Sequence, residues 1–116
     1  MGYRIEYAIG GRTMRASVRG RSPRNGAAIG RDIAAEAERA SIEHLLIDLR
    51  GLRDRLGEIG SLVLATCRDR RVAVVDGDEN SLFYPLSEWA ARRKNAQLRY
   101  FPDARSALAW LSGDRP

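Results

Sequence analysis

Asp48 and Asp76 each follow an apolar run, Leu45-Leu46-Ile47 and Val72-Ala73-Val74-Val75, so two carboxylates are expected at the ends of two buried strands. Carboxylates delivered to adjacent strand ends can share acid–base work or hold a hard cation. Arg50, Arg53 and Arg55 stand just beyond the first of them, and the plainer role for a carboxylate there is to cap the next turn or pair with a guanidinium. Asp76-Gly77-Asp78-Glu79 opens like a calcium loop, but the remaining ligand spacing of an EF-hand is missing. His44, the single histidine, starts a strand instead of ending one, with no nucleophile near it in sequence, so a triad through it is not expected. Cys67 is the one cysteine and reads as a small core residue. No strand is followed by a Gly-x-Gly-x-x-Gly or P-loop pattern. With no catalytic, metal or cofactor signature, a non-enzymatic binding role is expected.

The arginines offer a different chemistry. Residues 7–31 hold no acid but carry Arg12, Arg15, Arg19, Arg21, Arg24 and Arg31, in a chain of net charge +5 whose only lysine is Lys94. Such a field attracts phosphates, anionic lipid or an acidic protein, and on a nucleic acid it would give salt-sensitive, sequence-blind affinity. No aromatic residues are interleaved with these arginines to stack bases. Arg15 and Arg19 also alternate onto the wet side of a strand, so a solvated face is the simpler account.

The elements that must carry these groups follow from periodicity. Tyr3, Ile5, Tyr7 and Ile9 alternate with polar positions, as do Met14, Ala16 and Val18, and Gly10-Gly11 between them supplies a hairpin turn. Closing the chain there sets Tyr7 opposite Met14, Ile5 opposite Ala16, Tyr3 opposite Val18 and Glu6 opposite Arg15. Ser22-Pro23 then predicts the start of a helix over about 23–40, with Ile29, Ile33, Ala37 and Ala40 on its inner stripe. Gly26 and Gly30 near that stripe let it approach the sheet. The run from His44 to Leu49 is apolar on both faces, the pattern of a central parallel strand, and 50–57 reads as a polar loop. Ile59, Leu62, Val63, Thr66 and Cys67 share one helical face; Val72–Val75 is a second buried strand. A helix over about 81–94 presents Leu82, Phe83, Leu86, Trp89 and Ala90 inward. Leu98 and Tyr100 form a last strand, and Asp103 caps a final helix closed by Gly113.

The result is one α/β domain spanning 1–116, of order ββαβαβαβα: an N-terminal hairpin, then βαβαβα, giving a mixed five-stranded sheet with about four helices and a loose tail over 112–116. Ile47 and Val74 should lie side by side in mid-sheet. At 116 residues and 44% hydrophobic composition the chain can bury roughly two-thirds of its unfolded surface. No window reaches the roughly 18 apolar residues of a membrane span and the N-terminus lacks a secretory pattern, so a cytoplasmic protein is expected.

This succession, with Leu45-Leu-Ile-Asp-Leu-Arg-Gly51, Val72-Ala-Val-Val75 and the terminal Phe101-Pro-Asp-Ala-Arg-Ser-Ala-Leu-Ala-Trp-Leu111, resembles the STAS domains of the sulfate-transporter and anti-sigma-factor-antagonist type, and is similar to their bacterial single-domain relatives of undefined function. The resemblance implies a regulatory protein-interaction module whose regulatory members present an Asp-Ser pair for phosphorylation in the loop after the Asp-Leu strand. An ungapped alignment puts Leu56 and Gly57 where that pair would fall. Neither accepts a phosphate, and the nearest hydroxyl is Ser61. The partner surface expected is the loop 50–57 with the start of the next helix, joined by 76–80. Its candidates are Asp48, Arg50, Arg53, Asp54, Arg55, Gly57, Asp76 and Asp78. Two other readings stay open: nucleic-acid or anionic-surface binding through the basic segment 12–31, with Arg12, Arg15, Arg19, Arg21 and Arg24 at its centre, and a small apolar ligand or lipid near Tyr84 and Trp89. Exposed sheet edges also permit a homodimer through strand pairing.

Overall fold

A computed structural model of the chain describes residues 2–21, 25–53, 59–76, 90–93 and 95–113. Its elements are β1 (Tyr3–Gly10), β2 (Thr13–Arg21), α1 (Gly26–Arg39), β3 (His44–Arg53), α2 (Ile59–Leu64), β4 (Arg71–Val75), α3, of which residues 90–92 are described, β5 (Gln97–Phe101) and α4 (Ala104–Ser112). The sheet runs β1-β2-β3-β4-β5, with the first pair antiparallel and every other pair parallel. Ile47 is the register partner of Val74, so the two apolar runs lie together at the middle of the sheet.

Period-two alternation sorts the side chains between two faces. Met14, Ala16 and Val18 of β2, Leu45, Ile47 and Leu49 of β3, Val72 and Val74 of β4, and Leu98 of β5 meet Ile29, Ile33 and Ala37 of α1, Leu62 and Val63 of α2, and Ala91 of α3. This is the larger core, and each of its fully buried Leu, Ile or Val side chains stabilises the fold by roughly 1.5–3 kcal/mol. On the other face Leu46, Ala73 and Val75 pack against Ala107 and Leu111 of α4. Both faces of β3 are thus covered at its amino half, which is why that run carries no alternation. Asp103 caps α4, its Oδ1 accepting the Ser106 N–H at 2.8 Å.

Several local expectations are corrected. Gly10 pairs with Thr13, so the loop is Gly11-Arg12 instead of Gly10-Gly11, and every partner moves by two: Ile9 faces Met14, Tyr7 faces Ala16, Ile5 faces Val18, and Glu6 faces Ser17. A slip of two preserves the faces but not the charge pairing. Of the two glycines Gly11 takes a positive φ, +62°, and Gly10 does not, which suits Gly11 at the first central position of the turn. The first helix begins at Gly26 after Asn25, whose side chain makes no cap hydrogen bond; Ser22 and Pro23 lie outside the described residues. Gly30 abuts α2 instead of the sheet: a Cβ there would stand 2.5 Å from the Leu62 carbonyl oxygen and 2.7 Å from the Ala65 Cβ. Gly113 caps α4 with φ −99°, without a left-handed turn. Most of the 81–94 helix, including Tyr84 and Trp89, lies outside the described residues.

Candidate functional site

β3 does not stop at Leu49. It continues to Arg53, Gly51 facing Arg19, Leu52 facing Gly20 and Arg53 facing Arg21, after a register shift against β2 between Ser17 and Arg19. Ser17 pairs with Asp48 and Arg19 with Gly51, so β3 spends one extra residue at Leu49-Arg50, a β-bulge. The bulge reverses the alternation and turns Leu52 into the same core as Leu49. The polar loop read over 50–57 is therefore strand through Arg53, and Asp48 lies within its strand instead of ending it.

Asp48 is built into that bulge. Its Oδ1 accepts the Arg50 backbone N–H at 3.1 Å and the Arg50 Nε–H at 3.0 Å, and its Oδ2 accepts from the second guanidinium nitrogen of Arg50 at 2.8 Å. Arg15, on the neighbouring strand, donates to the same Oδ2 at 3.3 Å. The carboxylate is nearly buried, 11% exposed, whereas Arg15 and Arg50 remain 39% and 47% exposed. Burial works to raise the Asp48 pKa, but the side-chain and backbone hydrogen bonds from Arg50, its charge and the bond from Arg15 outweigh it, holding the carboxyl below its ordinary value. The hydrogen bond to Asp48 and its charge raise Arg50 in turn. One carboxylate thereby fixes two guanidiniums side by side on the sheet surface, each with part of its donor set turned to solvent.

Gly51 has a role in the same surface. A Cβ there would lie 3.1 Å from the Arg19 Cγ, so the absence of a side chain leaves room for the Arg19 stem to cross β3. Arg12, in the hairpin turn, instead pairs with Glu43 at 3.4 Å, and Arg21 ends β2. Asp76 is buried just past β4, its N–H bonded to the Phe101 carbonyl at 3.1 Å. The side chains of Arg21 and Arg53, and residues Arg24, Asp54, Arg55, Leu56, Gly57 and Asp78, fall outside what is described, as does the side chain of Ser61. His44 opens β3 at the other end of the sheet. Among the described residues no group of three His, Cys, Asp or Glu is arranged to hold a metal, and no helix is long and apolar enough to cross a membrane.

Two features escaped the sequence reading. Arg15 was matched to Glu6, and its true partner becomes visible only once β2 is known to flank β3, because Ser17 then faces Asp48 and puts Arg15 on the diagonal. The second is an arginine–aromatic stack beneath α4. Arg71 lies 4.2 Å from the centre of the Trp110 ring, Arg99 lies 5.8 Å from it, and Phe101 packs against Trp110 at 5.7 Å. Such contacts hold α4 to β4 and β5 with part of the cationic surface still wet.

No known protein family's model matches the sequence. Over 73 residues the chain is 34% identical to the tRNA U34 carboxymethyltransferases of Vibrio atlanticus (strain LGP32) and of Vibrio parahaemolyticus, matching 63% of its own length and only 19% of theirs. Among solved structures, an anti-sigma factor antagonist from Mycobacterium paratuberculosis superposes with a TM-score of 0.60 at 17% identity, over 96% of this chain and 95% of that one. An uncharacterized DUF3478-family protein from Shewanella loihica PV-4, described as having a SpoIIAA-like fold, superposes with a TM-score of 0.52 at 24% identity, over 95% of this chain and 93% of that one. The hairpin-led sheet with three helices on one face and the C-terminal helix on the other is therefore the STAS-like fold, as in SpoIIAA-like proteins and an anti-sigma factor antagonist.

Proposed function

We propose that this chain is a non-enzymatic regulatory module that docks on a partner protein with the rim where β3 leaves the sheet, residues 50–57 with the start of α2, joined by 76–80. The observation that carries the reading is the Asp48 clamp, which spends one carboxylate to hold Arg15 and Arg50 in place with guanidinium donors left for an outside acceptor. Preorganised guanidiniums bind carboxylate or phosphate bidentately and lose little entropy on doing so. The anti-sigma factor antagonist that shares the fold supports a protein as the target, and an anti-sigma factor as its class. With Leu56 and Gly57 at the aligned phosphoacceptor positions, docking would run without a phosphoserine at that place.

The test is affinity capture from the native cell with the wild-type chain and an Arg53→Ala/Arg55→Ala variant. The variant should lose the partner while its melting temperature stays nearly unchanged; the same partner at the same yield would overturn the assignment. A second reading, nucleic-acid binding through 12–31, draws on the partial match to tRNA-modifying enzymes. Against it, no aromatic residue stands among the arginines of 12–31 to stack bases. Salt-dependent retention on heparin with a gel shift on tRNA would favour it, and no shift at low salt would remove it.

A further inference from the structure

β1 is the outermost strand, paired on one side with β2. It is eight residues long and pairs with β2 without a register shift or a proline, so nothing bends it away from a neighbour. In a hairpin closed by two residues the flanking pair, Gly10 and Thr13, exchanges both of its hydrogen bonds, and alternation gives the even positions of β1 to β2. The N–H and C=O groups of Tyr3, Ile5, Tyr7 and Ile9 then point outward along an edge that no other described strand pairs with.

We propose that two copies of the chain join at this edge, β1 pairing antiparallel with β1 of the second copy to make one ten-stranded sheet. A two-fold axis normal to the sheet keeps each face on its own side, so partners must share parity and few registers exist. Centring on Arg4 or on Glu6 would set like charges against each other, and centring on Tyr3 or Tyr7 would set Arg4 against Gly2 or Gly10 and form no Arg–Glu pair. Centring on Ile5 sets Arg4 against Glu6 of the second copy twice over, with Tyr3 against Tyr7. Those two charged pairs occupy the non-hydrogen-bonded positions, where Cα atoms approach to about 4.5 Å and side chains are closest. Within one copy the same charges go unmatched: Arg4 faces Arg19, Glu6 faces Ser17, and neither has an ion pair among the described residues.

The seam has room for its aromatic rings. A shallow, open groove of about 450 Å³ runs along β1 beside α1, where Tyr3, Ile5 and Tyr7 face Asp32, Glu36 and Arg39 and Arg4 reaches its margin. Tyr3 already donates to Asp32 across it at 2.7 Å, and burial pushes Tyr7 up to about 12, so both rings stay neutral at the join. The opposite edge is built otherwise: β5 has five residues, its middle residue Arg99 would meet itself on full overlap, and Pro102 follows.

Sedimentation of the full chain across a wide concentration range tests this independently of partner docking, since neither Arg4 nor Glu6 belongs to the rim. Wild type should be a dimer. Arg4→Glu and Glu6→Arg should each weaken it by roughly tenfold or more, since each turns two attractive pairs into repulsive ones. Arg4→Glu/Glu6→Arg should restore it. Thermal melting at concentrations low enough for every form to be monomeric confirms that each variant folds, and there Arg4→Glu should melt no lower than wild type because it removes the Arg4–Arg19 opposition. Ile5→Cys should form a disulfide-linked dimer on mild oxidation, its Cα atoms being about 5.5 Å apart at the axis, and Tyr7→Cys should not. A monomeric wild type at every concentration, single reversals that leave the dimer intact, or a double reversal that stays monomeric would each overturn the proposal.

Discussion

The two faces of the sheet are finished differently. One is sealed by α1, α2 and α3 over side chains from β2 to β5. Among the described residues the other is sealed only where α4 lies on β3, β4 and β5, and over β1, β2 and the bulged part of β3 it carries Arg4, Glu6, Arg15, Arg19 and Arg50. The contrast separates two jobs within one strand. Leu45 to Ile47 is buried to hold the layers together, and from Asp48 onward the same strand spends its polar groups on positioning charge at the surface. The larger core lies on the closed side, and the part of the other face that no described element covers is left to be specified by what it meets.

Breaking the closed face should have the largest effect. Ile47→Ala empties a fully buried site at the centre of the larger core and should cost about 2–5 kcal/mol in urea unfolding. Gly30→Ala comes next. Alanine favours a helix over glycine by about 1 kcal/mol, but its Cβ would collide with α2, and overpacking of this kind costs about 1–3 kcal/mol. A more stable Gly30→Ala protein would mean that α1 and α2 do not meet at that point.

Asp48→Asn probes the boundary between the faces. It removes charge-assisted hydrogen bonds and should cost about 1–2 kcal/mol at neutral pH. Because the folded carboxyl titrates below its unfolded value near about 4, its contribution is complete above that pH and is lost as pH falls through the lower folded value. The stability gap between wild type and variant should therefore close on acidification; a gap constant down to low pH would contradict the ion-pair account. The smallest effect belongs to the open face, where Arg19→Ala should change stability by less than about 0.5 kcal/mol.

The same division explains what could be read from sequence. Apolar runs announce buried strands, so β3, β4 and the meeting of Ile47 with Val74 were legible, as was the hairpin from its alternation. The hairpin register was missed because Gly10-Gly11 and Gly11-Arg12 keep the same faces, and only the spatial partner of Glu6 tells them apart. The bulge at Leu49-Arg50 was invisible for a related reason: one extra residue in a strand leaves no compositional mark, and 50–53 looked polar enough for a loop. Arg15 and Asp48 are 33 positions apart and meet only through the sheet order. Long-range polar contacts of this kind depend on topology, whereas core positions depend on local period.

Amide hydrogen exchange on the captured partner complex tests the division of labour most directly. Partner binding should slow exchange in residues 50–57 and 76–80, with the interior of β3 from His44 to Ile47 unchanged. Protection confined to α1 or to α4, with 50–57 exchanging as in the free protein, would contradict it.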